Sequence, residues 1–291
     1  MGRGLHAQTV EIITTAIGLL REIKPATVRG VAYKLFTLGL IPDMSKRSTD
    51  KVSKALVRAR EAEALPWQWL VDETREVEQA AQWHDGTVFI RSVLSQYRKD
   101  YWQDQPYHVE VVSEKGTVRG VLAPVLDEFG VPFRVMHGFA SATVAHDMAE
   151  AINARGKPTI LLYAGDWDPS GLCMSEADLP LRLRDYGARA FRLDRIALTK
   201  ADVKAGSLPF FPAESKRGDS RYAWFVRNYG ARCWELDALD PRTLRERVRN
   251  SILRYLDVDA WNHMIEIERA ERESMQTVMT AWKRTLAGGQ S

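Results

Sequence analysis

The chain has 291 residues, of which 45% are hydrophobic and 27% are charged, and its formal net charge is +3. This composition is typical of a globular protein with one large domain or two ordinary ones, and it excludes a low-complexity chain. No apolar run approaches the roughly 18 residues of a membrane span, and the N-terminus lacks the apolar core and cleavage site of a secretory signal. We therefore expect a cytoplasmic protein with no membrane partner.

Three amphipathic helices are predicted at the N-terminus. Apolar residues three and four apart indicate helices over 9–23, 27–41 and 49–65, with Thr27 as the cap of the second. Residues 1–60 contain eleven Lys and Arg against four Asp and Glu, which favours a polyanionic partner, although a solvated charged face explains the same count. Three short helices with a basic third helix are typical of a helix-turn-helix or winged-helix module. The side chains predicted to contact DNA phosphates are Lys46, Arg47, Lys51, Lys54 and Arg58.

Strands alternate with helices in the rest of the chain. An aromatic-rich helical segment is followed by strands predicted over 108–113, 131–138, 158–165 and 188–198. Helices are predicted between them, and a last strand is predicted over 231–239. Repeated strand–helix units imply an α/β fold with a parallel sheet covered on both faces. The expected organisation is a winged-helix domain over 1–84, a helical connector over 85–107, an α/β domain over 108–257 and a C-terminal helix over 258–291.

Carboxylates follow two of the predicted strands. Glu114 comes directly after the strand over 108–113, and Asp166 and Asp168 come after the strand over 158–165. Because functional side chains of a parallel sheet gather at the carboxyl ends of its strands, we expect the three acids to converge. Converging carboxylates repel one another unless a cation neutralises them, and such oxygen ligands suit Mg²⁺. Each acid taken alone is also explained as a helix cap or a solvated loop residue.

The strand ends and the second helix resemble known families. The sequences VVSEKG at 111–116 and GDWDPSG at 165–171 resemble the Toprim domain of topoisomerases, primases and some nucleases, whose signature is a strand-end glutamate and a later Asp-x-Asp. The sequence TVRGVAYKL at 27–35 resembles the winged-helix motif of the topoisomerase VI A subunit and the meiotic double-strand-break transesterase. Together with CWELDAL at 233–239, the resemblance spans roughly residues 20–255 and includes compact A-subunit-like proteins of prophages.

The resemblance implies a DNA-cleaving A-type subunit of a type IIB-like topoisomerase. Tyr33 would attack a DNA strand and form a 5′-phosphotyrosyl link with the help of Arg29, while Mg²⁺ would be held by Glu114, Asp166 and Asp168. In this family two subunits pair, so a homodimer would cut both strands of double-stranded DNA. The chain has no nucleotide-binding signature, and strand passage would therefore require a separate ATPase subunit.

Several assignments stay open at this stage. Gly30 and Ala32 stand where the family usually has an acidic and an aromatic residue. A relative can keep the Toprim acids without using a tyrosine, as in the nuclease subunit of Wadjet plasmid-defence systems. A hydrolytic nuclease is therefore the first alternative, and a non-catalytic DNA-binding subunit is the second. From spacing alone, Tyr33 is equally a helix tyrosine packed against Leu20 or Leu38.

The motif CWELDAL contributes two further acids, Glu235 and Asp237, at the end of the last predicted strand. Similar proteins carry this motif, which makes the two acids candidates for an outer-shell or second-metal role. A purely structural role explains them as well.

Overall fold

The computed structural model describes residues 7–71, 81–136 and 142–288. The chain divides into two compact units, one formed by Met1–Thr74 and His108–Arg254 and the other by Arg75–Tyr107 and Tyr255–Ser291. Within the described residues, no helix combines the length and the apolar character needed to cross a membrane.

The helices and strands follow the chain in a regular order. The α-helices of the described residues are α1 (Ala7–Ile23), α2 (Val28–Thr37), α3 (Lys46–Glu61), α4 (Gly86–Gln96), α5 (Val118–Phe129), α6 (Ala142–Ala154), α7 (Pro169–Cys173), α8 (Leu179–Asp185), α9 (Lys200–Ala205), α10 (Tyr222–Tyr229), α11 (Pro241–Leu253) and α12 (Val258–Gly288). The strands are β1 (Ala26–Thr27), β2 (Leu70–Val71), β3 (His108–Ser113), β4 (Phe133–Val135), β5 (Thr159–Ala164), β6 (Phe191–Ala197), β7 (Phe211–Pro212) and β8 (Arg232–Cys233).

Helices α1, α2 and α3 pack against one another through their apolar stripes. The side chains buried between them include Ile12, Leu20, Leu35, Val52 and Leu56. α2 begins where predicted, because the Thr27 Oγ1 accepts a 2.8 Å hydrogen bond from the Gly30 N–H and caps the helix. Beside them, β1 and β2 pair in parallel over two residues each.

A four-stranded parallel sheet lies in the same unit, with the strand order β4-β3-β5-β6. All six residues of β5 are buried, as expected for a central strand that is covered on both faces. Side chains of β3 and β5 share one core with those of α6 and α8. The mixed α/β class predicted from the sequence is therefore confirmed. The end of the strand predicted over 131–138 lies outside the described residues, and so do residues 72–80 of the predicted winged-helix domain.

The strand predicted over 231–239 is wrong beyond its first residues. β8 contains only Arg232–Cys233, and it pairs antiparallel with β7 instead of joining the parallel sheet. Leu236–Ala238 form a short 3-10 turn. The apolar residues of this segment are buried without forming a strand, as the side chains of Trp234, Leu236 and Ala238 show. Glu235 and Asp237 therefore do not end a strand.

The second unit contains α4 and α12. The helix predicted over 85–107 ends early, at Gln96. The Arg272 guanidinium, on α12, donates to the backbone oxygens of Leu94, at 3.0 Å, and of Tyr97. A cation at these carbonyl groups stabilises the end of α4, because the last carbonyls of a helix have no partner within it.

Candidate active site

Two carboxylates meet at the carboxyl ends of neighbouring parallel strands. Glu114 directly follows β3, and Asp166 comes two residues after β5. Because Ser113 and Ala164 are paired in register, the chain leaves both strands at the same level of the sheet. The Glu114 Oε1 accepts a hydrogen bond of 2.8 Å from the Asp166 N–H. The structure thus brings together the two strand ends that the sequence analysis selected.

Asp168, the third predicted acid, is almost completely buried and has two different contacts. Its Oδ1 accepts a 2.8 Å hydrogen bond from the Gly171 N–H and so caps α7. Its Oδ2 lies 3.1 Å from the Lys216 ammonium. The helix-cap interpretation of Asp168 is therefore correct for one oxygen, while the other oxygen already faces a cation.

Gly171 is required by close approach of the chain to the acids. A Cβ at this position would lie 2.3 Å from the Asp166 backbone oxygen and 3.0 Å from the Glu114 Oε1. Any side chain would therefore force the loop over 165–171 away from Glu114, so glycine keeps the three acids together.

Two lysines neutralise the aspartates. The Lys115 Nζ lies 2.9 Å from the Asp166 Oδ1 and 3.0 Å from the Asp237 Oδ2, and Lys216 pairs with Asp168. Burial of the Lys115 ammonium lowers its pKa, but the charges of Asp166 and Asp237 outweigh burial, and the net shift is upward. Neither lysine was predicted from the sequence, although the position of Lys115 directly after Glu114 was a usable signal. No local pattern places Lys216 beside Asp168.

Burial and repulsion between the acids raise the pKa of Glu114 and of Asp166. Burial, followed by the charge of Asp166, raises the pKa of Glu114 to about 7. Burial also raises the pKa of Asp166 despite its contact with Lys115. This is the expected behaviour of converging carboxylates that a cation would favour in their ionised forms.

The Tyr163 hydroxyl supports a ligand at this place. It is buried, and it has no hydrogen-bond partner among the described residues. Burial raises its pKa, and the charge of Glu114 adds to that rise. Mg²⁺ in proteins keeps several water molecules in addition to a few carboxylates, so a hydrated ion would supply a partner to the phenol. The donor set of Glu114, Asp166 and Asp168 therefore fits Mg²⁺ in its chemistry.

The distances set one condition on metal binding. Among the residues that the structure describes, the three predicted acids do not each bring an oxygen within 4.8 Å of the others. Metal binding would therefore have to draw Asp166 and Asp168 from their lysines. The one described group within that distance is formed by His146, Asp147 and Glu150, all exposed on α6. Neighbouring side chains on a helix surface approach one another without a ligand, and we assign no site to them.

Arg195, on β6, organises the loop that carries the aspartates. Its guanidinium donates to the backbone oxygens of Gly165 at 2.7 Å and Gly171 at 3.1 Å, to that of Asp166, and to the Ser175 Oγ at 2.7 Å. The role of Arg195 was not predicted from the sequence, because a single arginine in a strand pattern does not indicate what it contacts.

The predicted nucleophile and its arginine lie one turn apart on α2. The Arg29 guanidinium carbon is 6.0 Å from the centre of the Tyr33 ring. Arg29 is engaged by Glu235, because its Nη2 donates to the Glu235 Oε1 at 2.6 Å and its Nε donates to the other carboxylate oxygen. Burial raises the pKa of Tyr33, Glu235 adds to the rise, and Arg29 and Lys115 oppose it. The phenol is therefore harder to ionise here than in a free tyrosine.

Asp237 and Glu235 connect α2 with the acid cluster inside one compact unit. The Asp237 Oδ1 accepts a 2.7 Å hydrogen bond from the Thr27 Oγ1, and its Oδ2 faces Lys115. The segment over 234–238 is held in place by backbone hydrogen bonds between Trp167 and Trp234 and by the Leu236 N–H, which donates to the Asp166 Oδ1 at 2.7 Å. Asp237 thus reaches the acids through Lys115, while Glu235 holds Arg29.

The basic residues predicted to contact DNA lie on the surface of α3. One face of this helix is apolar and packs in the core, and the opposite face is charged. The five predicted side chains are all exposed: Lys46, Arg47, Lys51, Lys54 and Arg58. Arg60 is different, because it is buried and donates to the backbone oxygens of Trp67 at 2.9 Å and Leu70 at 2.8 Å.

Replacing Thr27 by valine tests the anchor of α2. Thr27→Val keeps the side-chain shape but removes the cap of α2 and the hydrogen bond to Asp237. We expect the free energy of unfolding to fall by about 1–2 kcal/mol, measured by urea denaturation. Thr37→Val is the matched control, because the exposed Thr37 hydroxyl donates only to the Tyr33 backbone oxygen within its own helix. Equal losses in the two variants would contradict the anchor.

Comparison of the sequence with family models and with curated proteins finds no match. A function for this chain therefore follows from the chemistry of its site, taken together with the motifs in its sequence.

Proposed function

We propose that this protein cleaves DNA strands at the site formed by Glu114, Asp166 and Asp168, with Tyr33 as the nucleophile. In this proposal α1–α3 form the winged-helix domain, the parallel sheet belongs to a Toprim-like domain, and the chain acts as the A-type subunit of a type IIB-like topoisomerase. The observation that carries the proposal is that one compact unit holds a buried acidic cluster at two strand ends and, linked to it by hydrogen bonds, the helix with Tyr33.

The reaction follows from the residues around the two groups. Mg²⁺ held by the three acids would polarise a phosphoryl oxygen and stabilise the departing 3′ oxygen. The Tyr33 oxygen would attack the phosphorus, the bond to the 3′ oxygen would break, and a 5′-phosphotyrosyl link and a free 3′ hydroxyl would result. Because the link conserves the energy of the phosphodiester bond, attack by the 3′ hydroxyl can reseal the strand.

Arg29 and Glu235 have complementary roles in this proposal. A DNA phosphate near α2 competes with Glu235 for the Arg29 guanidinium, since both offer oxygens to the same planar donor. Glu235 is the charged group that acts most strongly on the Tyr33 hydroxyl. Once Arg29 turns to the phosphate, Glu235 becomes available to accept the phenol proton. DNA binding would in this way activate a tyrosine that is protonated in the free protein.

The proposed partners follow from the surface charges and from the resemblance. Double-stranded DNA would lie along the exposed basic face of α3, where each neutralised phosphate contributes a log–log salt slope of about −0.9. A homodimer would place two cleavage sites across the duplex, and a separate ATPase subunit would drive strand passage. Residues 1–84 and 108–257 remain the proposed DNA-binding and catalytic domains.

One observation favours the hydrolytic alternative. The pKa of Tyr33 is raised, and its arginine is paired with Glu235, so the phenol is not activated in the free protein. If DNA does not change this arrangement, a water molecule activated at the acid cluster would attack instead. The protein would then be a Toprim nuclease that releases its product.

The deciding experiment compares wild type with Tyr33→Phe on supercoiled plasmid with Mg²⁺, stopped with detergent. Tyr186→Phe, at an exposed helix end, serves as the control. We expect protein-linked breaks with wild type and the control and none with Tyr33→Phe. Breaks that persist in Tyr33→Phe without attached protein would identify the hydrolytic nuclease. Absence of breaks in all three proteins, also with an ATPase subunit present, would favour the non-catalytic DNA-binding subunit.

A further inference from the structure

We propose that Lys115 is a positioning residue that couples cation binding at the acid cluster to the placement of α2. This inference rests on the proposed function, because it concerns the acids that would hold the metal and the helix that carries Tyr33. Lys115 acts as an internal counterion of Asp166 and, through Asp237, as part of the anchor of α2. A divalent cation bound by the acids would compete with it.

A continuous chain of contacts carries the coupling. The Lys115 ammonium lies 2.9 Å from the Asp166 Oδ1 and 3.0 Å from the Asp237 Oδ2. The other Asp237 oxygen accepts a 2.7 Å hydrogen bond from the Thr27 hydroxyl. The same hydroxyl accepts a 2.8 Å hydrogen bond from the Gly30 N–H and so caps the start of α2. Four contacts therefore connect a predicted metal ligand to the first turn of the nucleophile helix.

The charges give the coupling its sign. A divalent cation at Asp166 repels the ammonium that now lies beside the same carboxylate. When Lys115 withdraws, Asp237 loses its closest cation while its side chain remains nearly buried. A buried carboxylate without a cation is strongly destabilised. The segment over 234–238 therefore relaxes, and its hold on Thr27 weakens.

Lys216 provides a matched comparison. Its ammonium lies 3.1 Å from the Asp168 Oδ2, so it also neutralises a predicted ligand. Its contacts do not extend to α2 as those of Lys115 do, since its ring contact is with Phe211 and its ion pair is with Asp168. The two lysines should thus have the same effect on cation affinity, while only Lys115 should affect α2.

The first measurement is Mn²⁺ binding without DNA. The electron paramagnetic resonance signal of the free ion reports how much Mn²⁺ remains unbound. Lys115→Met and Lys216→Met should each bind Mn²⁺ tighter by roughly tenfold or more, because a competing charge is removed. Lys115→Arg keeps the charge and should stay within about threefold of wild type. Mn²⁺ affinity in Lys115→Met equal to that of wild type would overturn the counterion role, and so would failure of every protein to bind Mn²⁺.

The second measurement is hydrogen exchange of the α2 backbone with and without Mn²⁺. In wild type and Lys216→Met, Mn²⁺ should speed the exchange of residues 28–33 by about threefold or more. In Lys115→Met and Thr27→Val, exchange should be fast already, and Mn²⁺ should change it much less than in wild type, since only the contact of the Leu236 N–H with the Asp166 Oδ1 then connects the cation site to this segment. If Lys115→Met responds to Mn²⁺ as wild type does, the coupling is refuted.

The two proposals fail in different experiments. Tyr33→Phe should retain the Mn²⁺ response of α2, because the phenol takes no part in the chain of contacts from Asp166 to Gly30. Absence of protein-linked DNA breaks with wild type would therefore refute the role of Tyr33 and leave the coupling intact. Conversely, an α2 that ignores Mn²⁺ would refute the coupling without affecting the assignment of Tyr33.

Discussion

Arg195→Met is expected to lower the free energy of unfolding by about 3–5 kcal/mol, which is the usual cost of breaking up a buried charged network. The guanidinium donates to the Ser175 hydroxyl and to four backbone oxygens, those of Gly165, Asp166, Gly171 and Leu198. Methionine fills the volume of the aliphatic part but removes all of these hydrogen bonds, and of the four backbone oxygens Gly171 still accepts from the Ser175 hydroxyl. The loop that carries the aspartates should also lose its shape.

Chemical denaturation of three proteins checks this expectation. Arg192→Met is the matched control, because Arg192 lies on the same strand with a side chain that is 67% exposed. It should change the free energy of unfolding by less than about 0.5 kcal/mol. Arg195→Lys retains one charge but has no planar fork, so most of the loss should remain. Equal denaturation midpoints for Arg195→Met and Arg192→Met would show that the network does not stabilise the fold.

The parts of the site that lie close together along the chain were predictable. Thr27 was recognised as a cap because a threonine before an apolar helical pattern has one favourable use. Glu114 and Asp166 were recognised because each comes at the predicted end of an apolar strand, and parallel strands end at a common edge. In both cases a few neighbouring residues determine the geometry.

The parts that depend on distant residues were not predictable. Arg29 and Glu235 are 206 residues apart in the chain, and Lys115 and Asp237 are 122 residues apart. No local pattern indicates which arginine meets which carboxylate once the two regions pack together. The strand predicted over 231–239 was wrong for a related reason. Trp234 pairs with Trp167, which is distant along the chain, and no local pattern indicates that pairing.

These distant pairs determine the charge balance of the site in the free protein. Three cations each pair with a carboxylate of the proposed reaction: Lys115, Lys216 and Arg29. These ion pairs offset the repulsion between the carboxylates that lie close together in the fold. Substrate and cation would have to replace these internal partners. In the free protein these ion pairs therefore stabilise the fold around the site. Binding of DNA and Mg²⁺ would replace them with contacts to the phosphate and to the metal ion.

Glu114 should make the stability of the protein depend on pH in the presence of EDTA. Its pKa in the fold is about 7, raised from an ordinary value of 4.5 first by burial and then by Asp166. The folded state therefore binds the proton more tightly than the unfolded chain does. The resulting stabilisation is complete below about pH 4.5 and is lost as the pH rises through about 7, with a total of roughly 3 kcal/mol.

Glu114→Gln should remove this dependence, because the amide oxygen can still accept from the Asp166 N–H while the side chain carries no charge. Urea denaturation in EDTA should find the variant and wild type similar near pH 4.5 and the variant more stable by about 2–3 kcal/mol at pH 8. Glu61→Gln, at an exposed position, should follow the wild-type curve. If the free energies of unfolding of Glu114→Gln and wild type depend on pH in the same way from pH 4.5 to 8, the fold does not raise the pKa of Glu114. Mg²⁺ should narrow the difference at pH 8, since a bound cation favours the ionised carboxylate that only wild type can supply.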